Sequence, residues 1–114
     1  MMDFDRYAAD WIEDWNSHEI DRILSHYAEN ACFRSPMAEK RTGYGLVTGL
    51  DNLRAYWSPV FSLRPNLWFT LDRVFHGFET LALSYHDELD RSVIETLTFD
   101  KHGKVIFGSG CYAQ

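Results

Sequence analysis

The period of the apolar residues changes once along this chain, at Pro65, and that change constrains the fold more than any other feature. Before it, apolar side chains recur at three- and four-residue steps. In residues 3–18, Phe4, Tyr7, Ala8, Trp11, Ile12 and Trp15 make one helical stripe, with Asp5, Asp10, Glu13 and Asp14 outside it. A second short helix is predicted within 17–30, burying Ile20, Ile23, Leu24 and Tyr27. Ser17 or His18 is its expected N-cap, ahead of acidic Glu19 and Asp21. A third carries Leu50, Leu53, Tyr56, Trp57, Val60 and Phe61. It starts at a capping-box-like Thr48 and Asp51, and Pro59 should kink or tighten it near Ser58. Between them, 31–36 reads as a short strand closed by Pro36, and the glycine-punctuated 37–49 as a loop or irregular hairpin.

After Pro65 the period is two. Residues 66–77, 79–88, 91–100 and 104–113 read as four strands joined by turns at Gly77, Asp87 to Asp90 and 100–103. Such short turns imply an antiparallel meander. Asp72 and Arg73 break the alternation of their strand, as a bulge or a surface ion pair would. Helices first and strands second point to α+β, a curved sheet with helices on one face.

One strand carries an anomaly. In 91–100, Val93, Glu95, Leu97 and Phe99 share one face, so Glu95 sits on the more apolar side, where an unpaired carboxylate is costly. Three readings follow. Glu95 is a pocket carboxyl with a raised pKa that meets a ligand as acid, base or anchor. Or it is a structural carboxylate paired with the Trp11 or Trp57 indole, a tyrosine hydroxyl, or an arginine such as Arg34 or Arg73. Or its strand lies at an edge and Glu95 is wet. On the last strand Gly108 and Gly110 share a face with Ile106 and Tyr112. They leave room above the sheet for a cavity, or permit a bulge; Tyr112 and Tyr85 then stand beside that space.

The bulk properties exclude several classes. At 114 residues the chain is expected to be one domain, 1–114, able to bury about two thirds of its unfolded surface. A net charge of −6 without a basic run argues against nucleic acid. Cys32 and Cys111 are expected as free buried thiols of a reducing compartment. The acidic N-terminus does not resemble a signal peptide, and no stretch approaches the roughly 18 apolar residues of a membrane span. A cytoplasmic protein is therefore expected. The five histidines show neither an i,i+4 pair nor a Cys-x-x-Cys companion, so no metal and no cofactor are expected. His102 should face solvent, and His76 is a candidate for the pocket mouth. Aromatics form 16% of the chain, enough for a bulky core or an aromatic-lined pocket.

Three segments in order, "WNSHEIDRILSHYAENACFRSP", "TGLDNLRAYW" followed by "RPNLWF", and "VIETLTFDKHGKVI", resemble the nuclear transport factor 2-like superfamily. This superfamily includes ketosteroid isomerases and SnoaL-type polyketide cyclases. The resemblance implies a cone: a curved antiparallel sheet with three N-terminal helices packed on its concave face. It also implies a deep pocket between them and a homodimer. In the steroid isomerases a helix-1 tyrosine and a protonated late-strand acid form an oxyanion hole, and an aspartate before a proline carries the proton. Here Glu95 falls at the late-strand acid, Trp11 at the tyrosine and Ser35, before Pro36, at the base; Trp57 takes a supporting position. Without a carboxylate base, steroid isomerisation lacks its proton carrier.

The expectation from residues and resemblance together is a small-molecule-binding domain whose pocket takes a hydrophobic ring-containing or carbonyl compound. Glu95 is its candidate acid/base or anchor, and Trp11, Ser35, Tyr56, Trp57, Tyr85 and Tyr112 are its candidate ligand contacts. Isomerase, cyclase or hydrolase chemistry is the enzymatic option. The alternative is a non-catalytic dimerisation or partner-binding module with a filled pocket.

Overall fold

The amphipathic stripe of residues 4–16 folds as expected in a computed structural model, which describes residues 2–114. Helix α1 (Phe4–Asn16) is capped by Asp3, whose carboxylate accepts from the Arg6 N–H at 3.0 Å, and it buries Ala8, Trp11, Ile12 and Trp15. Its last residue reaches further. The Asn16 side-chain amide donates to the Phe69 carbonyl at 2.9 Å and accepts from the Phe69 N–H at 2.7 Å, fastening the helix to the segment before the meander.

The remaining elements are α2 (Ile20–Leu24), β1 (Tyr27–Arg34), α3 (Pro36–Thr42), β2 (Leu46–Thr48), α4 (Leu50–Leu63), β3 (Thr70–His76), β4 (Thr80–His86), β5 (Ser92–Phe99) and β6 (Val105–Tyr112). They build one curved, unclosed sheet in the order β2-β1-β6-β5-β4-β3, with the helices against its inner face. Strands β3 to β6 are the antiparallel meander that the turn lengths implied. The first strand then lies parallel to β6, and β2 closes that side antiparallel to β1. The predicted irregularity at Asp72 is present, as a register shift between Leu71 and Arg73.

Alternation decides the two faces. Leu81, Leu83, Tyr85, Val93, Glu95, Leu97, Phe99 and Val105 are buried inside, while Ile94 and Phe107 stand 45% and 52% exposed outside. Because β5 is flanked by β4 and β6, Glu95 is not at an edge, which removes the wet reading.

Several local expectations are corrected. Pro36, expected to close a strand, and residues 37–42, expected as loop or irregular hairpin, form the additional helix α3. Pro36 occupies its first turn, where a missing N–H is harmless, and the Ser35 hydroxyl caps it by accepting from the Met37 N–H at 3.1 Å. Gly43 ends it in the left-handed region at φ 86°. Helix α2 is shorter than predicted and its N-cap is Glu19, not Ser17 or His18, while Tyr27 opens β1. The Thr48–Asp51 capping box does not form: Gly49 is the N-cap of α4 and its N–H donates to the Ala31 carbonyl at 2.8 Å. The helix continues through Pro59 to Leu63. Both cysteines are free, but neither is buried: Cys111 is exposed and Cys32 half-buried. Among the described residues no helix is long and apolar enough to cross a membrane.

Candidate functional site

Between the inner face of the sheet and the helices lies a cavity of about 240 Å³. Glu95, Trp11, Ser35, Tyr56, Trp57, Tyr85 and Tyr112, all named from the sequence, line it together. They come from five elements and one helix cap, so no local pattern assembles them; the curved sheet does.

Glu95 is 4% exposed. In the register Leu83 faces Glu95 and Tyr85 faces Val93, so Tyr85 and Glu95 are diagonal neighbours on the inner face. The Tyr85 hydroxyl donates to Glu95 Oε1 at 3.1 Å. On the other side Glu95 faces Gly110, where a Cβ would lie 3.1 Å from Oε1 and 3.7 Å from the Phe33 ring. A Cβ at Gly108 would lie 3.3 Å from that same ring. The space above the two glycines is therefore taken by the Glu95 carboxyl and Phe33.

Burial pushes the Glu95 carboxyl up to about 8, against the opposing effect of the Tyr85 hydrogen bond. The Tyr85 phenol is held well above its ordinary value, by burial first and then by the Glu95 charge. At neutral pH both groups keep their protons. Oε1 accepts from Tyr85, while Oε2 has no partner within the protein.

The indole pairing considered for Glu95 does not occur. Trp11 Nε1 donates to the Tyr27 hydroxyl at 3.2 Å. Arg34 is exposed on the opposite side of β1, and the Arg73 guanidinium lies 5.2 Å from the Phe75 ring centroid. Of the protein groups considered from the sequence, only a tyrosine hydroxyl pairs with Glu95.

The rest of the wall is aromatic. Trp11 stacks on Phe69 at 6.2 Å between ring centroids, and Phe69 lies 4.4 Å from Tyr85. Burial, and then the Glu95 charge, push the Tyr112 phenol up to about 12. Burial also raises Tyr56, against the charge of Arg41, whose guanidinium lies 4.6 Å from the Tyr56 ring centroid. Ser35, although at the cavity, already commits its oxygen to the cap of α3.

Among the described residues three buried side-chain polar atoms lack a hydrogen-bond partner: Trp15 Nε1, Arg64 Nε and Glu95 Oε2. Buried polar atoms are normally paired. All three belong to residues that line this one cavity.

Sequence reasoning missed Trp15, Arg41, Arg64 and Phe69 as cavity residues. Trp15 was absorbed into the helical stripe, and Arg41 fell in the segment read as loop. The run from Pro36 through Lys40 and Arg41 to Gly43 was the available signal, since proline at the start, bases in the last turn and glycine beyond it mark a helix. His76 is not at this cavity; its Nε2 meets Asp5 at 3.2 Å. Asp72 pairs with His86 at 3.0 Å rather than with Arg73. His102 is exposed, as expected. No group of three or more potential metal ligands occurs among the described residues.

This geometry, a curved unclosed sheet with helices over a polar-floored cavity, is that of the cystatin-like α+β class. The family model for the SnoaL-like domain matches residues 8–106, and the chain belongs to that family. A SnoaL-like protein of unknown function from Burkholderia thailandensis E264 is similar over 97% of this chain and 95% of its own, at 29% identity and a TM-score of 0.94. TerC, co-crystallised with polyporic acid, is similar over 95% of this chain and 89% of its own, at 10% identity and a TM-score of 0.79. SalBIII, an epoxide hydrolase/cyclase-like enzyme of pyran ring formation in salinomycin, is similar over 96% and 90%, at 14% identity and a TM-score of 0.74. The last two likenesses are of fold. No curated protein matches the chain.

Proposed function

We propose that this chain binds a small, mostly apolar, ring-containing carbonyl compound in the Glu95 cavity, and that neutral Glu95 donates a hydrogen bond from Oε2 to the carbonyl oxygen. One observation carries the reading: a carboxyl 4% exposed keeps one oxygen unpartnered while lining an open cavity. An acid held neutral by burial stabilises charge that develops on a carbonyl oxygen, and can pass its proton there. The Tyr85 hydroxyl, still donating to Oε1, then supports the carboxylate that remains. This is acid chemistry of the kind isomerases, cyclases and hydrolases use. The family membership and the fold likeness to an epoxide hydrolase/cyclase-like enzyme support it. Ser35 offers no carboxylate base and caps α3, which speaks against steroid isomerisation.

The filled-pocket alternative has less support, because about 240 Å³ stays open and neither Trp11 nor Arg34 caps Glu95. The reading includes a homodimer, supported by Ile94 and Phe107 exposed on the outer face of the sheet. It also places the protein in the cytoplasm, supported by two free cysteines.

Calorimetry with cyclic ketones and enones tests it. Glu95→Gln presents an amide N–H where the Oε2 proton stood, so it should bind within a few-fold of wild type while losing any turnover that needs proton transfer. Glu95→Leu should weaken binding by about tenfold or more. Unchanged affinity in Glu95→Leu contradicts the reading.

A further inference from the structure

The polar lining of the cavity is biased toward donors, and that bias selects its ligand. Tryptophan and arginine donate only. Trp15 Nε1 and Arg64 Nε are buried there with nothing to donate to. The two ionised side chains in the wall are both arginines, on a chain whose net charge is −6. They differ in one respect. Arg64 Nη2 already meets Asp87 Oδ2 at 3.1 Å and Glu88 Oε1 at 2.8 Å, so its charge is answered. Among the described residues no acidic side chain pairs with Arg41, which sits over the Tyr56 ring at the cavity wall. The remaining wall combines flat aromatic surface from Trp11, Trp15, Trp57 and Phe69 with aliphatic side chains such as Val60 and Leu67.

We propose that the ligand is a planar, acceptor-rich oxo acid, and that Arg41 is the specificity-determining residue that reads its anionic group. The carbonyl oxygen meets Glu95, further oxygens take the Trp15 and Arg64 donors, and the carboxylate or enolate pairs with Arg41. This inference rests on the reading of the cavity as a ligand site. It adds that the ligand is negatively charged and that Arg41 selects for that charge. A volume of about 240 Å³, equal to roughly eight waters at liquid density, suits two fused rings with such substituents.

The test compares a matched pair of redox-inert probes, chromone-2-carboxylate and chromone-2-carboxamide, which share ring, ketone and shape and differ in charge. Quenching of tryptophan emission reports binding, since Trp11, Trp15 and Trp57 line the cavity. Wild type should bind the carboxylate about tenfold or more tightly than the amide, the usual scale of a charge-assisted hydrogen bond. Arg41→Met should erase that preference, weakening the carboxylate far more than the amide. Arg41→Lys should keep part of it, and Lys40→Met, on the same helix but outside the cavity, should keep all of it. Arg41 is exposed, so these variants should melt with the wild type. Equal binding of the two probes by wild type, or a preference that survives in Arg41→Met, overturns the charge assignment while the ligand site stands. Failure of both probes to bind at millimolar concentration overturns the ligand site and the assignment together.

Discussion

Tyr85 and Glu95 lie on adjacent strands, one diagonal apart, with the tyrosine hydroxyl donating to Oε1 at 3.1 Å and Oε2 buried without a partner in the protein. The bond orients the carboxyl. It also lowers the carboxyl pKa against the larger effect of burial. Tyr85→Phe should therefore move the Glu95 titration above about 8 and weaken folding by about 1 kcal/mol, the usual net value of such a bond. A titration that moved down would refute this arrangement.

Stability should fall as pH rises through this group's range. The folded carboxyl titrates near 8 and the unfolded one near 4.5, so between these values the native state holds a proton that the unfolded chain has lost. The contribution is fully present below about 4.5 and is lost by about 8; its size is on the order of 5 kcal/mol. Urea melts from pH 4.5 to 9 should show the decline in wild type and a flatter profile in Glu95→Gln. The two proteins should be similar in stability at the acid end, with the variant ahead at the alkaline end.

Gly110 matters for the room it leaves rather than for backbone freedom. An alanine methyl would lie 3.1 Å from Glu95 Oε1, with the Phe33 ring 3.7 Å away. Gly110→Ala should displace the carboxyl from Tyr85 and destabilise by about 1–3 kcal/mol, as overpacking does. Paired denaturant melts of Gly110→Ala alone and with Glu95→Ala would show whether the carboxyl is what it strikes: the penalty should shrink in the double variant.

Asp87 links a turn to the cavity wall. Burial acts to raise its carboxyl, yet the Arg91 backbone and side chain and the Leu89 N–H hold it below its ordinary range. It also meets Nη2 of Arg64, a residue that lines the cavity. Asp87→Ala leaves Arg64 and Arg91 without this partner and should cost about 1–3 kcal/mol, the scale of hydrogen bonds to a charged group, measured by urea denaturation.

The change of period at Pro65 was enough to read helices before strands, and alternation alone put Glu95 inside. What escaped was decided by non-local pairing. The parallel contact between β1 and β6 leaves no trace in either strand. Pro36 looked like the end of a strand because proline serves equally well as a strand stop and a helix start. Its reassignment carries Arg41 from a loop onto the cavity wall. The partner of Glu95 depended on a diagonal across two strands, which composition could not choose between indole and phenol. Trp11, the expected donor, is taken up by Tyr27.

The proposed ligand site requires Glu95 to be a neutral acid at physiological pH, with Oε2 unpaired within the protein. Carbon-detected NMR of the side-chain carboxyls, with Glu95→Gln used to assign the resonance, measures this directly. A Glu95 midpoint near 8 is expected. A midpoint near 4.5, the ordinary value for glutamate, would contradict it.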